Sequence, residues 1–368
     1  MPDTHRRIVC FGATGFTGEL VVRALVRRQI RPVLAGRNRD RLSTLAAECG
    51  GLDVVQADAS DDTSFRALIE PHDVLIATVG PFLRFGWPAV LAACDAGATY
   101  LDSTGEPPFI RRIVRELSDY AAATGASLIP AFGYDFVPGN LAAALALRDA
   151  PDSTTVRIGY FVRGRAGGVS RGTAASAAGV LLHSGYAWRD GTLRDDRPGA
   201  RIHTFEVAGR ERQAVSIAGS EHLFLAPLHP GLRNVDVYLG WAGRYSPLVY
   251  AASPLAAGLL RVPGASTVIE QVGRRVVPGS SGGPGERQRA GSRSLAVAEA
   301  LDDAGAVVGR TVLQGPSPYD LTAELLAWGA VQAAEYGTSG PGVLGPVQAF
   351  GLDTLESAAA AIGLERVA

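Results

Sequence analysis

The chain contains no lysine: all 35 of its strongly basic residues are arginine. A guanidinium stays charged and planar, so it cannot stand in for an ammonium that must lose a proton or form an imine. The absence excludes a Schiff-base lysine, the lysine of a GxxxxGK[ST] phosphate loop and the Tyr-x-x-x-Lys pair of short-chain dehydrogenases. Cysteine is scarce too. Cys10, Cys49 and Cys94 are odd in number, lie far apart and form no CxxC pair, which argues against a disulfide framework, a zinc ribbon or a thiol redox motif and fits a reducing cytoplasm. The six histidines, His5, His72, His183, His203, His222 and His229, include no ligand-spaced pair such as HExxH, so no metal site is expected. Neither sign of charge is in excess, 35 basic against 36 acidic residues, and the electrostatic footprint of a nucleic-acid binder or a polybasic membrane protein is missing. Long hydrophobic runs are missing as well. No charged-then-apolar leader opens the chain, and the most apolar stretch, residues 247–260, carries prolines at 247 and 254 and falls short of the roughly 18 to 20 residues a bilayer demands. These absences predict a soluble protein without stable membrane insertion, whose partner is a small molecule.

The 368 residues present are enough for about two domains. From Arg6 a short apolar run leads to Gly12, Ala13, Thr14, Gly15, Phe16, Thr17 and Gly18, and then to Glu-Leu-Val-Val-Arg-Ala-Leu-Val with helical periodicity. Strand, glycine turn and helix together let the backbone approach a pyrophosphate while the helix N-terminus faces the anion. The spacing is GxxGxxG rather than GxGxxG, and glycines also simply end strands, so the neighbouring residues decide. A second short strand ends at Gly36, Arg37 and Asn38, where a dinucleotide fold meets the adenosine ribose. An NAD site normally carries Asp or Glu there for the 2′-hydroxyl. Glycine, a guanidinium and an amide instead leave room and donors for a 2′-phosphate, so NADP(H) is the expected cofactor. The alternative is that Arg37 is one more solvated arginine.

The alternation continues with strands expected over residues 53–56, 73–78, 99–102 and 127–131, and helices near 63–68, 88–96 and 108–123. This is the pattern of a doubly wound parallel (Rossmann) sheet in an α/β fold. Its ligands collect at the carboxyl ends of the strands, which assigns Asp58 and Ala59 to the adenine end and Val79, Gly80, Pro81 and Phe82 to the nicotinamide. Asp58 suits a helix-opening turn equally well. Beyond Asn140 and a helix at 141–147 the texture changes. Strands in succession at 154–162, 202–207, 213–217 and 235–241, then a hairpin of 294–301 and 306–313, predict a second α+β domain on a largely antiparallel sheet. Residues 278–291 read as a surface loop, and 247–260 as a buried helical hairpin rather than a membrane-touching or acyl-covering patch. Residues 173–183 read as a core helix rather than the wall of a channel. Helices return at 321–336 and 355–362.

GATGFTG, LAGRN, VGPF, GWPAVLAACDAGATYLDSTGE and PAFGYDFVPGNL, followed by GVSRGTAAS from Gly168 and PYDLTA from Pro318, resemble the saccharopine dehydrogenase-like NADP-binding family, and within it the trans-acting enoyl reductase branch. The resemblance runs over most of the chain and thins between about 185 and 290. It implies a dinucleotide-binding domain over 1–139, an inserted substrate domain over 140–315, and C-terminal helices over 316–368 that return to the first domain. It also implies an NADPH-dependent reductase acting on a conjugated C=C bond of an apolar, lipid- or polyketide-derived molecule. Two departures stand out. Phe136 and Asn140 occupy positions where the branch often has serine and aspartate, and the lysine of true saccharopine dehydrogenases has no counterpart.

Hydride transfer leaves a product that needs a proton. Tyr134 and Asp135 follow the sixth strand at the sheet's carboxyl edge, Tyr134 as a candidate donor and Asp135 as a carboxyl that orients a polar group or carries the proton itself. The alternatives are a buried tyrosine wall with a satisfied hydroxyl and an aspartate that caps the next turn. Asp102 and Glu106 lie beside the same edge and equally suit fixing the turn through backbone N–H groups. Ser170 and Thr173 read as helix caps before carbonyl ligands. Failing Tyr134 and Asp135, the proton would come from Tyr186, His183 or a bound water. Two other functions stay open: imine reduction on a dicarboxylate, which would need arginine clamps such as Arg163 or Arg171, and a non-catalytic NADP(H)-sensing regulator. A homodimer is compatible with all of these.

Overall fold

The computed structural model describes residues 6–61, 64–65, 68–164, 185–207, 209–241, 243–260 and 282–368. The nucleotide half runs β1 (Ile8–Phe11), α1 (Phe16–Arg27), β2 (Val33–Gly36), α2 (Arg39–Glu48), β3 (Val54–Gln56), β4 (Val74–Ala77), α3 (Phe82–Phe85), α4 (Trp87–Asp95), β5 (Thr99–Asp102), α5 (Pro107–Thr124) and β6 (Ser127–Ile129). β1, β4, β5 and β6 are buried at every position, as expected of strands covered on both faces by helices. α1 supports them by burying Val21, Val22 and Leu25, spaced along one stripe. All strand pairs of this sheet are parallel, in the order β3-β2-β1-β4-β5-β6. Strand order reverses between β1 and β4, and the crevice of a doubly wound fold opens at that reversal, outside the carboxyl ends.

The chain then enters α6 (Val137–Asp149), with every position from Val137 to Leu147 buried. There follow β7 (Thr155–Gly164), β8 (Gly185–Arg189), β9 (Thr192–Asp196), β10 (Ile202–Glu206), β11 (Glu211–Ile217), α7 (Glu221–Phe224), β12 (Asn234–Leu239), α8 (Ser246–Leu260), α9 (Glu286–Ala290), β13 (Ser292–Leu301) and β14 (Val307–Gly315). Last come α10 (Pro318–Tyr336), β15 (Gly342–Val343), α11 (Pro346–Phe350), α12 (Leu352–Ala361) and β16 (Glu365–Arg366). The second sheet is ordered β10-β11-β12-β7-β13-β14-β16, with β8 and β9 attached beside β12. Only β12 and β7 run parallel; its other pairs are antiparallel. α6 packs on β7, β13 and β14, so a helix that grows out of the first sheet forms part of the core of the second. The tail serves both sheets: β15 extends the first beyond β6, and β16 extends the second beyond β14.

Several local expectations change. Residues 247–260 form part of one helix, α8, not a buried hairpin, and Leu248 and Tyr250 on it are exposed. The loop expected over 278–291 contains the short helix α9 where Glu-Arg-Gln-Arg-Ala follows the glycines. α6 starts four residues earlier than its apolar run suggested, because Pro138 fits a first helical turn, where its missing N–H costs nothing. The hairpin β8–β9 turns at Asp190 and Gly191, both with positive φ, as a two-residue turn between twisted strands demands. The expected helix at 173–183, with Ser170, Arg171 and His183, lies outside the described residues, as does part of the one at 63–68. Among the described residues no helix is long and apolar enough to cross a membrane.

Candidate active site at the crevice

The glycine turn is folded back on itself so tightly that side chains are barred from it. Gly12 has φ +86°, and a Cβ there would come within 2.7 Å of Thr78 Oγ1 and of a Val79 methyl. A Cβ on Gly18 would fall 2.1 Å from the Gly12 carbonyl oxygen. The turn is pinned by hydrogen bonds from Gly12 N to Ala35 O (2.9 Å) and from Gly15 N to Gly12 O (2.8 Å), while Thr78 Oγ1 donates to Phe11 O (3.1 Å). β1, β2 and the end of β4 therefore meet at this one turn. No side chain caps α1. Its first-turn N–H groups, from Phe16, Thr17 and Gly18, are open to an anion, and the residues present fit a dinucleotide phosphate.

At the other end of the crevice Gly36 is buried while Arg37 and Asn38 are exposed. The Asn38 side chain accepts from Arg41 N (3.0 Å) and caps α2, so its amide has local work. Arg37 makes no ion pair among the described residues and is held through its backbone, where its carbonyl accepts from Gln56 Nε2 (3.0 Å). Asp58 accepts from the N–H and hydroxyl of Ser60, which hold its carboxyl below the ordinary range, with the Arg37 charge adding to the effect. Asp58 is thus a turn residue that also lies within the field of Arg37, and Ala59 beside it is buried. Sequence reasoning missed Arg41, whose Nη2 donates to Thr14 O at 2.9 Å and ties α2 to the glycine turn.

Glu106 shapes the turn after β4. Its two carboxylate oxygens accept from Phe82 N and Leu83 N, both at 2.9 Å, and cap α3 next to Gly80 and Pro81. Buried Asp102 does the same between loops, since its Oδ1 takes Thr104 N (2.9 Å) and Ala131 N (2.8 Å). Both acids fix turns, the second of the two readings open to them. Tyr134 is almost fully buried and its hydroxyl donates to Phe161 O (3.2 Å); burial, with the nearby Asp135 charge, raises the phenol above its ordinary range. Asp135 is different. It is partly exposed, no hydrogen bond engages its carboxyl among the described residues, and Oδ2 lies where a Cβ on Gly105 would be only 2.9 Å away. Burial pushes this carboxyl up to about 6. Asn140 is spoken for by Phe136 O and Ser220 Oγ, both 2.9 Å from its amide nitrogen. Tyr186 is buried with its hydroxyl toward Pro107 O (3.3 Å).

Behind Asp135 lies a second acid that sequence reasoning passed over. Glu221 is fully buried, and Tyr160 hydrogen-bonds its Oε1 at 2.5 Å.

A profile described as NAD(P)H-binding matches residues 12–125, which spans the glycine turn, the end of β2 and the turns after β4 and β5. A trans-acting enoyl reductase of Mycobacterium leprae is 40% identical over 140 residues, 36% of this chain and 34% of that protein. A Mycobacterium tuberculosis protein, provisionally named for the same activity, is 38% identical over 183 residues, 47% of this chain and 44% of the relative. The chain therefore matches less than half the length of either relative. Saccharopine dehydrogenase (L-Glu forming) from Saccharomyces cerevisiae superposes over 99% of this chain and 100% of its own, with a TM-score of 0.61 at 15% identity, which establishes a shared fold. Over less than half of its length the chain is similar to trans-acting enoyl reductases, and it carries an NAD(P)H-binding region within a fold shared with saccharopine dehydrogenase.

Proposed function

We propose that the protein is an NADPH-dependent reductase that delivers hydride to a conjugated C=C bond of an apolar, lipid- or polyketide-derived small molecule, with Asp135 supplying the proton. The observation that carries the reading is the convergence on one sheet edge of an uncapped glycine turn, the turn at Gly80 and Pro81, and an unengaged carboxyl on the next loop but one. Bound there, reduced nicotinamide supplies the hydride. The chain's own contribution is to hold the phosphates at Gly12 to Gly18, to back the ring with the Glu106-capped turn, and to present Asp135 as a carboxyl that keeps its proton up to about pH 6. Asp135 is preferred to Tyr134 because the Tyr134 hydroxyl is already committed to Phe161 O. The names of the relatives support C=C over C=N chemistry.

The test is NADPH oxidation with a trans-2-butenoyl thioester of N-acetylcysteamine, followed by mass analysis of the product made with deuterated cofactor. Deuterium at the β-carbon is expected. Turnover of cyclic imines instead would favour saccharopine-type chemistry, and tight NADPH binding with turnover of neither would favour a sensing role.

Cofactor choice has its own check. Arg37→Ala is expected to weaken NADPH by roughly 1.5 to 3 kcal/mol, the scale of a hydrogen bond to a charged group, and to leave NADH nearly untouched. Equal losses for both in fluorescence titrations would remove the 2′-phosphate from Arg37.

A further inference from the structure

Tyr160 and Glu221 have no part in the proposed reaction, yet they are built into its foundations. Tyr160 stands mid-sheet on β7, paired with Leu239 on β12 at one side and Ala296 on β13 at the other. Its hydroxyl reaches out of the second sheet to the turn that joins β6 to α6. There the oxygen accepts from Gly139 N (2.9 Å) and lies 3.2 Å from Phe136 O, as well as 2.5 Å from Glu221 Oε1. Space for the pair is cut by glycine. A Cβ on Gly139 would fall 2.1 Å from the Tyr160 hydroxyl and 2.3 Å from Oε1, and one on Gly219 would fall 2.3 Å from Oε2.

The hydrogens can be counted. With a proton on Oε1, Glu221 donates to the Tyr160 oxygen, Tyr160 donates to Phe136 O, and Gly139 N–H fills the remaining lone pair; every donor has an acceptor. With Glu221 ionised, the Tyr160 proton must turn toward the carboxylate and Phe136 O loses that donor. Oε2, which is buried without a hydrogen-bond partner, then carries an uncompensated charge. Glu221 is faced by Tyr160 from β7, by Asp135 from the β6–α6 turn and by Tyr186 from β8, with His222 beside it in α7, and no cation pairs with it among the described residues. Burial holds the carboxyl up at about 8, and burial likewise takes His222 down to about 4, so both are neutral at pH 7.

We infer that the Tyr160–Glu221 pair is a positioning device for Asp135: by gripping Phe136 O and Gly139 N from the second sheet, it fixes the turn that presents the Asp135 carboxyl to the substrate. The inference rests on the assignment of Asp135 above. It makes the second sheet a participant in the chemistry of the first, because the contact that sets the acid's place comes from across the boundary between the two.

Three measurements on the full chain test it. In Tyr160→Phe, NADPH affinity and KM for the butenoyl thioester are expected to stay within threefold of wild type while kcat falls about tenfold. Glu221→Gln imitates the neutral acid, so kcat at pH 7 is expected to stay within about threefold, whereas the extra steepening of the wild-type decline above about pH 8, beyond the fall that ionisation of Asp135 alone produces, is expected to disappear. A carbon-13 titration of the Asp135 carboxyl, assigned with Asp135→Asn, needs no substrate; its midpoint is expected to move by at least half a pH unit in Tyr160→Phe. An unchanged Asp135 midpoint, or unchanged kcat and pH profile in both variants, overturns the inference. Absence of wild-type turnover would instead remove the proposed reaction, and the Asp135 titration would still decide the role of the pair.

Discussion

Asp135→Asn is expected to lower turnover of the enoyl thioester by roughly 10² to 10⁴, the range of general acid catalysis, with NADPH binding unchanged. Asparagine keeps the size and polarity of the side chain and removes only the transferable proton. The pH dependence follows from the raised carboxyl. A donor must carry its proton into the reaction, so kcat/KM in wild type is expected to hold below about pH 6 and to fall as pH rises through that value, about tenfold per unit once the carboxyl is mostly ionised. The residual rate of Asp135→Asn is expected to be flat across the same interval. Tyr134→Phe serves as the contrast, since it loses a hydroxyl that is bonded to Phe161 O. A larger loss in Tyr134→Phe than in Asp135→Asn, measured by stopped-flow at saturating NADPH, would hand the proton to the tyrosine.

Gly18→Ala is expected to be as severe in a different way. Replacing a helical glycine by alanine ordinarily stabilises a protein by about 0.5 to 1 kcal/mol, because the unfolded chain loses freedom. Here the added methyl would lie 2.1 Å from the Gly12 carbonyl oxygen and 2.9 Å from Thr78 Oγ1, so α1 must move away from the turn it packs on. The expected cost is about 1 to 3 kcal/mol of stability, the scale of overpacking. NADPH and NADH affinity should drop together by about 100-fold, or about 2.7 kcal/mol, because the N-terminal N–H groups leave their place. Calorimetry and titration on the same sample check both. A more stable variant with unchanged cofactor binding would show that the glycine at 18 reflects no more than local composition.

The nucleotide half was readable because its signals are local. β1, the glycine turn and α1 follow one another within twenty residues, and the switch from an apolar run to a helical stripe marks each boundary. The hairpin of β13 and β14 was readable for the same reason, with Asp302, Asp303, Ala304 and Gly305 at its tip. The hairpin of β8 and β9 was not, although Asp190 and Gly191 offered the turn signal, because exposed residues on β9 blur the alternation that marks a strand. At the site, the glycines and Arg37 announce themselves through spacing. Glu221 announces nothing. A glutamate before His-Leu-Phe reads as the acidic opening of a short helix, and Tyr160, its partner, is 61 residues away on a strand. Arg41 hid in the same manner, one exposed arginine among several at the start of α2, until the fold brought it to Thr14 O.

The pairing of β15 with β6 has a consequence for how the protein comes into being on the ribosome. β6 is the outer strand of the nucleotide sheet until Gly342 and Val343 arrive to cover it, and every strand of the second sheet but β16 is synthesised in the interval. Over that time the nascent nucleotide half carries a buried-type strand, Ser-Leu-Ile, with one row of backbone groups unpaired, a template for association with other chains. The first half to emerge is therefore among the last to be completed. Closure waits on contacts of very long sequence separation, which slows folding and makes the growing chain a natural client for shielding during translation.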